Sequence, residues 1–351
     1  MTDQTNPLGL NGFEFVEFTS PDPQAMEDHF RRLGFVPAAT HPTKDIVRFR
    51  QGRINLLLNR EPTGQAAEFR AAHGPSASGM AFRVGDPAGA RQAALDHGAR
   101  PVDETIGALG EGSCAIEGIG GSYLYLVQDD ADLYADWNEV PGWEEEARKN
   151  GVGLDMLDHL THNVRRGQMR VWSEFYSKLF HFEEQKYFDI KGKATGLFSQ
   201  AMIAPDKAIR IPLNESQDEN SQIEEFIREY KGEGIQHLAL TTDDIYETVE
   251  KLRERGVRLQ DTIETYYELV DKRVPNHGED LDRMKKNRIL IDGSTEEGIL
   301  LQIFTENMFG PIFFEIIQRK GNEGFGNGNF QALFESIELD QIRRGVIKVD
   351  A

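Results

Sequence analysis

Apolar and polar residues alternate with period two at several places along the chain, and these stretches read as β-strands separated by helices. FEFVEF at 13–18 is the first; Pro21, Asp22 and Pro23 then introduce a helix that runs to Gly34. IVRF and INLLLN follow as strands, so the unit reads βαββ with room for one more strand. The pattern restarts with GMAFRV at 79–84, a helix opened by Asp86 and Pro87 and stopped at Gly98, and YLYLV at 123–127. LDHLTHNV at 157–164 opens a third unit, whose helix carries Trp172, Phe175, Tyr176 and Leu179 on one apolar stripe before the strands GLFSQAMIA and AIRIPLN. IQHLALT at 235–241 opens a fourth, with Asp243 expected to cap a helix that turns Ile245, Val249 and Leu252 inward and ends at Gly256. A charged excursion around 264–288 reads as a helical insertion, after which ILLQIF and IFFEII close the unit.

The helix ends LGF, DHGA, LFHF and RERGV make the repeat visible. Four βαβββ modules, two per domain, predict an α+β protein of two open-barrel domains. The acidic stretch 129–150 breaks the rhythm, with Trp137 and Trp143 as anchors that dock a linker. Residues 1–150 are therefore expected to form a structural domain with its linker, and 151–351 a second domain. A Gly-rich loop at 321–328 and an amphipathic helix from about Asn329 end the chain, a candidate hinge and lid.

The 351 residues are 39% hydrophobic, enough for a core in each domain. A formal charge of -20 argues against nucleic acid or an anionic membrane as partner and leaves a small molecule. The single cysteine, Cys114, excludes an intramolecular disulfide and fits a reducing compartment. MTDQTNPLGLNG has no signal-peptide pattern, so the expected location is the cytoplasm.

One residue resists a bland reading. In IFFEIIQRKG, at 312–321, Glu315 lies within an apolar run and shares a strand face with Phe313 and Ile317. A buried carboxylate must be protonated, ion-paired or bound to a metal. The third and fourth modules each carry a histidine on their first strand, His159 and His237. Two imidazoles and a carboxylate on rigid strands can hold a divalent metal on one face and leave other positions open, the arrangement suited to non-haem Fe(II) and oxygen. Satisfied core histidines and a structural ion pair of Glu315 with an arginine are the alternatives. Pattern alignment puts Met80 of the first half where His237 stands, and FEFVEF offers no histidine opposite His159, so the metal site belongs to the second domain alone. His162 completes an HxxH with His159, but strand alternation points it to the opposite face.

DHLTHNV, GLFSQAM, IRIPLNE, QIEEF, GEGIQHLAL, LLQIF, FFEIIQRKG and GFGNGNFQALFESIE, in this order, resemble the 4-hydroxyphenylpyruvate dioxygenases of bacterial type, in the vicinal-oxygen-chelate (glyoxalase-like) superfamily. The resemblance covers nearly the whole chain. It implies His159, His237 and Glu315 as iron ligands, and a substrate pocket of Ser199, Asn214, Gln222, Gln236 and Gln302 with Phe304, Phe313, Phe325, Asn329 and Phe330 around the ring. Alternation places Gln302 with Phe304 and Phe313 with Glu315, whereas Gln236 neighbours a ligand and should face away. The implied reaction takes an aromatic α-keto acid and O2 to homogentisate and CO2 with no 2-oxoglutarate, in a homo-oligomer, a tetramer by resemblance. The rival readings are 4-hydroxymandelate synthase, from which Asn214 and Phe304 lean away, an extradiol-type dioxygenase, and a metal-free binding module of the same fold.

Overall fold

The computed structural model describes residues 5–129, 131–191, 195–262, 264–326, 328–329, 341–342 and 344–346. Phe330 and most of the expected terminal helix lie outside these residues. The first half of the chain gives β1 (Phe13–Thr19), α1 (Pro23–Arg32), β2 (Val36–Thr40), β3 (Ile46–Gln51), β4 (Ile54–Asn59), α2 (Gln65–His73), β5 (Ser76–Val84), α3 (Pro87–Asp96), β6 (Ala115–Glu117) and β7 (Tyr123–Gln128). A connection follows with β8 (Asn138–Glu139) and α4 (Trp143–Asn150). The second half gives β9 (Leu154–Val164), α5 (Met169–Phe180), β10 (Glu183–Lys191), β11 (Gly196–Ile203), β12 (Arg210–Ser216), α6 (Gln222–Tyr230), β13 (Gly234–Thr242) and α7 (Ile245–Glu254). It ends with α8 (Glu264–Glu268), α9 (Val270–Arg273), α10 (Leu281–Asn287), β14 (Leu290–Ser294), β15 (Gly298–Phe304) and β16 (Phe313–Lys320).

Each half folds its strands into one eight-stranded sheet, in the orders β6-β7-β5-β1-β4-β3-β2-β8 and β10-β11-β12-β9-β13-β16-β15-β14. Within a module the first strand pairs in parallel with the last, and the two first strands of a half pair antiparallel at the sheet centre. This is the two-domain arrangement of βαβββ modules expected from the repeat, and the vicinal-oxygen-chelate architecture that the resemblance implies. The strand missing from the first reading of module one is β2. The second module is an abbreviated copy: Pro101, which has no N–H to give a ladder, makes only an isolated bridge to Ile116. Helical insertion between 264 and 288 takes the form of α8, α9 and α10.

Local signals place these elements closely. Asp22 and Asp86 cap α1 and α3 with Pro at the helix start. The cap of α7 is Asp244, whose side chain accepts from the Glu247 N–H, and not Asp243; consecutive aspartates leave the choice to backbone geometry. Three of the four module helices stop at a glycine in the left-handed region, Gly34 (φ 93), Gly98 (φ 94) and Gly256 (φ 75), and the third module puts His181 (φ 61) there instead. The tryptophans of the connection anchor it as expected. Trp137 meets Tyr134 and His41 edge-on at 5.3 and 5.0 Å, and Arg50 lies over Trp143 at 5.3 Å.

The alignment of the two halves differs by one residue from the sequence pattern. Ala81 faces Phe15 and Tyr125 in the first sheet as Ala239 faces His159 and Glu315 in the second. Gly79, not Met80, therefore stands where His237 stands. A Cβ at Gly79 would lie 2.9 Å from Glu17 Oε2 and 3.1 Å from the Tyr125 ring, so a carboxylate and a phenol fill this space.

Glu17 is wholly buried and accepts from Asn59 Nδ2 at 2.7 Å and the Tyr125 hydroxyl at 3.4 Å. Burial pushes its carboxyl up to about 7, against the pull of Asn59, Tyr125 and Lys44. The folded state thus holds a proton that the unfolded chain has already released. Its contribution to stability is complete below the ordinary value of 4.5 and is lost as the pH rises through about 7. Glu17→Gln should flatten the decline in unfolding free energy between pH 5 and 8 by on the order of 3 kcal/mol, read from urea denaturation of both proteins. Parallel pH profiles would refute this.

Candidate metal centre

His159 and Glu315 both face Ala239, from β9 and β16 on either side of β13, and His237 lies two residues before Ala239 on the same strand. A methyl group between them leaves room for the imidazole and the carboxylate to converge. His159 Nε2 is 3.1 Å and His237 Nε2 3.4 Å from Glu315 Oε2, and the imidazole centroids are 5.6 Å apart. One donor atom from each residue lies within 4.8 Å of the others, and all three side chains are buried.

Two β-bulges orient the histidines. The β9–β13 ladder passes from Ala239↔His159 to Leu240↔Leu157, which leaves Asp158 as an extra residue; it passes from Ile235↔His162 to His237↔Thr161, which leaves Gln236 as another. Each bulged side chain can therefore reach its neighbour on the same strand. His159 Nδ1 donates to Asp158 Oδ2 at 2.8 Å, and His237 Nδ1 donates to Gln236 Oε1 at 3.0 Å. With both Nδ1 atoms tied back, both Nε2 atoms point at Glu315, where in the metal-free state they hold the carboxylate and from which a metal would take them as ligands. The first sheet carries the same two bulges, at Glu14 and Ser78, without histidines beside them.

Asp158 is held in turn. Arg319 binds both its oxygens at 2.8 Å and Arg210 adds a contact at 3.3 Å. Burial works against its charge, but Arg319 and His159 outweigh it and hold its carboxyl well below the usual range. Burial disfavours ionised Glu315 as well, but the two imidazoles bring it down to about 2. Burial also works against a charged His159, yet Glu315 and Asp158 raise its pKa, while His237 is lowered mainly by burial. The donor set is thus one carboxylate and two imidazoles poised for a cation, and a bound metal would displace the His159 proton. His162, on the opposite face, contacts the Tyr176 hydroxyl at 2.7 Å, and burial pushes it down to about 3.

A small cavity, of about 20 Å³, opens on the triad. Ser199, Gln302, Phe304 and Phe325 line it, together with Phe188, Thr161, Ala201 and Pro212, which sequence reasoning did not single out. Phe325 is edge-on to His159 at 5.6 Å, and Phe313 stacks on His237 at 4.8 Å. Asn214 pairs with Ser199 across β11 and β12; the Ser199 Oγ and Asn214 Oδ1 are buried without a hydrogen-bond partner among the described residues. Gln222 and Gln236 line a second cavity, which Phe313 also lines. Gln302 Nε2 donates to Glu315 Oε1 at 2.5 Å, and Asn329 Nδ2 donates to Gln302 Oε1 at 2.8 Å. Asp158 was missed, although an aspartate in the middle of an apolar strand next to a histidine is a signal.

The N-terminal family model for hydroxyphenylpyruvate dioxygenase (HPPD) matches residues 4–138, and that of the glyoxalase/bleomycin resistance protein/dioxygenase superfamily matches 156–269. The 4-hydroxyphenylpyruvate dioxygenase of Pseudomonas aeruginosa is 56% identical over 98% of both chains. The chain belongs to the 4-hydroxyphenylpyruvate dioxygenase family. Hemolysin VllY of Vibrio vulnificus is 55% identical over 99% of both chains. A mutant of 4-hydroxymandelate synthase from Streptomyces coelicolor has a solved structure that superimposes with a TM-score of 0.82 at 26% identity, covering 95% of this chain and 100% of that one.

In this member of the hydroxyphenylpyruvate dioxygenase family the bulge at Asp158 makes a direct prediction. Asp158→Asn keeps the shape but removes the charge that favours the Nδ1–H tautomer of His159. Co(II) affinity, titrated by calorimetry, should fall about 10- to 100-fold. Unchanged affinity would show that His159 is oriented by packing alone.

Proposed function

We propose that this chain converts 4-hydroxyphenylpyruvate and O2 to homogentisate and CO2 at a single Fe(II) held by His159, His237 and Glu315. The observation that carries the reading is the convergence of two imidazoles and one carboxylate on a largely apolar cavity, in a chain of this family. Bound iron would supply the activation of O2 and a seat for the α-keto acid, so that the substrate's own keto acid does the work of a separate 2-oxoglutarate. The atoms balance with one carboxyl lost as CO2 and both oxygen atoms of O2 incorporated.

The chain's own residues supply geometry. The Phe304 and Phe325 faces clamp the ring and keep water from the reacting carbon. Ser199 and Asn214 offer a hydroxyl and a carboxamide to the polar end of the substrate, where each now has a buried atom in need of a partner. Carboxamides suit this place, since they bond a phenol or carboxylate and are not easily oxidised. Gln222, Gln236 and Phe313 stand one layer further out, with Gln236 acting through His237. On this reading residues 151–351 are the catalytic domain and 1–150 a structural domain, in a cytoplasmic homo-oligomer, a tetramer by resemblance; the mass of the assembly in solution tests the last point. Among the described residues no helix is long and apolar enough to cross a membrane.

The structural neighbour 4-hydroxymandelate synthase favours one rival, hydroxylation of the benzylic carbon of the same substrate. Oxygen uptake by Fe(II)-reconstituted protein with 4-hydroxyphenylpyruvate, and chromatography of the product against standards, separates them. Homogentisate should appear in step with oxygen, and Glu315→Ala should lower the rate by more than about a hundredfold. Hydroxymandelate as product would overturn the assignment while keeping the triad.

A further inference from the structure

We propose that Tyr266, on α8 in the helical insertion of the fourth module, is a positioning residue for Glu315, acting through Asn329 and Gln302. The proposal rests on the reading of the triad as a metal site. Four buried groups form the connection: Glu315 Oε1 accepts from Gln302 Nε2 at 2.5 Å, Gln302 Oε1 accepts from Asn329 Nδ2 at 2.8 Å, and Asn329 Oδ1 accepts from the Tyr266 hydroxyl at 2.8 Å.

Donor and acceptor chemistry sets the direction of these bonds outward from the carboxylate. An ionised carboxylate only accepts, so Gln302 must turn its NH2 to Glu315 and its oxygen away. That oxygen needs a donor, so Asn329 must turn its own NH2 to Gln302. The Asn329 oxygen then needs a donor in turn, and the Tyr266 hydroxyl is placed to be it. The hydroxyl has one proton and two acceptors in reach, but Ile291 O, at 3.0 Å, already receives Arg273 at 2.9 Å. The Ile291 N–H donates to the same hydroxyl at 2.8 Å and leaves its proton for Asn329. The phenol thereby supplies the last donor of a series that starts at the carboxylate, and it holds both carboxamides in the orientation that keeps Gln302 Nε2 on Glu315 Oε1. Oε2 is left for His159 and His237.

The surroundings hold the series together. Arg273 lies over the Tyr266 ring at 4.9 Å, and the Gly328 N–H donates to Asp292 Oδ2 at 3.0 Å. Gly326 (φ 68) lets the chain press against Gln302, because a Cβ there would lie 2.2 Å from Gln302 Oε1. The insertion helix, the segment after β16 and the carboxylate are thus one hydrogen-bonded unit.

Tyr266→Phe keeps the ring and removes only the hydroxyl. Co(II) titration by calorimetry should show about tenfold weaker binding, with a changed visible spectrum of the bound cobalt. Asn329→Leu should cause a similar loss, and the double variant no further one, since both substitutions cut the same series. Wild-type affinity and spectrum in Tyr266→Phe, or losses that add in the double variant, would overturn the proposal. Absence of Co(II) binding by the wild-type chain would overturn the triad as a metal site and the proposal with it, an outcome distinct from loss of the Tyr266 effect alone. The titration needs no substrate, so its outcome stands apart from which product is formed.

Discussion

A carboxylate buried between two imidazoles at the centre of a sheet is tolerable only if positive charge and hydrogen bonds surround it. Glu315 meets that condition on each oxygen: Gln302 on one, the two histidines on the other. Much else in the second half follows from it. Asp158 keeps the His159 proton on the outer nitrogen, and Arg319 and Arg210 keep Asp158 charged where water cannot. Removing either arginine would leave part of a buried charge uncompensated, so these residues serve the site although none of them faces the cavity.

The duplicated fold shows which part of this is architecture and which is chemistry. Both sheets place two bulges at matched points of the ladder between their central strands. In the first sheet the bulged Glu14 turns to Arg83, at 2.6 Å, and the positions of the triad hold Phe15, Gly79 and Tyr125. The bulges therefore do not need a metal in order to form. They are a property of two strands coiling at the centre of an open barrel, and they become useful when a histidine follows the extra residue. The same comparison shows how a spare site is closed. With Gly79 in place of a histidine, Glu17 and Tyr125 occupy the interior, and a carboxyl whose protonated form burial favours stands where the ligand set would be.

This division explains what could be read from the sequence. Repeats, helix caps and period-two alternation are local, and they place His159, His237, Glu315, Gln302 and Phe304 on the correct strands and faces. A bulge is invisible to alternation, because it inserts one residue without changing the composition on either side. Gln236 therefore looks misdirected in the sequence, whereas the bulge brings its carboxamide oxygen to His237 Nδ1. The same one-residue ambiguity moved the cap of α7 from Asp243 to Asp244 and the counterpart of His237 from Met80 to Gly79. Asp158 lay beyond reach for a second reason, since its partners Arg210 and Arg319 are brought to it only by tertiary packing.

The cavity is asymmetric in how its polar groups are satisfied, and that asymmetry has a consequence for binding. On the side of Gln302 every polar atom near the triad is engaged, out to Tyr266 and the backbone of Ile291. On the side of β11 and β12, Ser199 and Asn214 keep buried atoms unpartnered among the described residues, and the adjacent Asn163 keeps both of its amide atoms so. Each such atom costs roughly 1–3 kcal/mol relative to a bonded one. A substrate carrying a hydroxyl or carboxylate relieves that cost on entry, whereas one without such a group does not. On the proposed function, the engaged side would fix the ligands before substrate arrives, and the unsatisfied side would favour a molecule that brings polar groups to it.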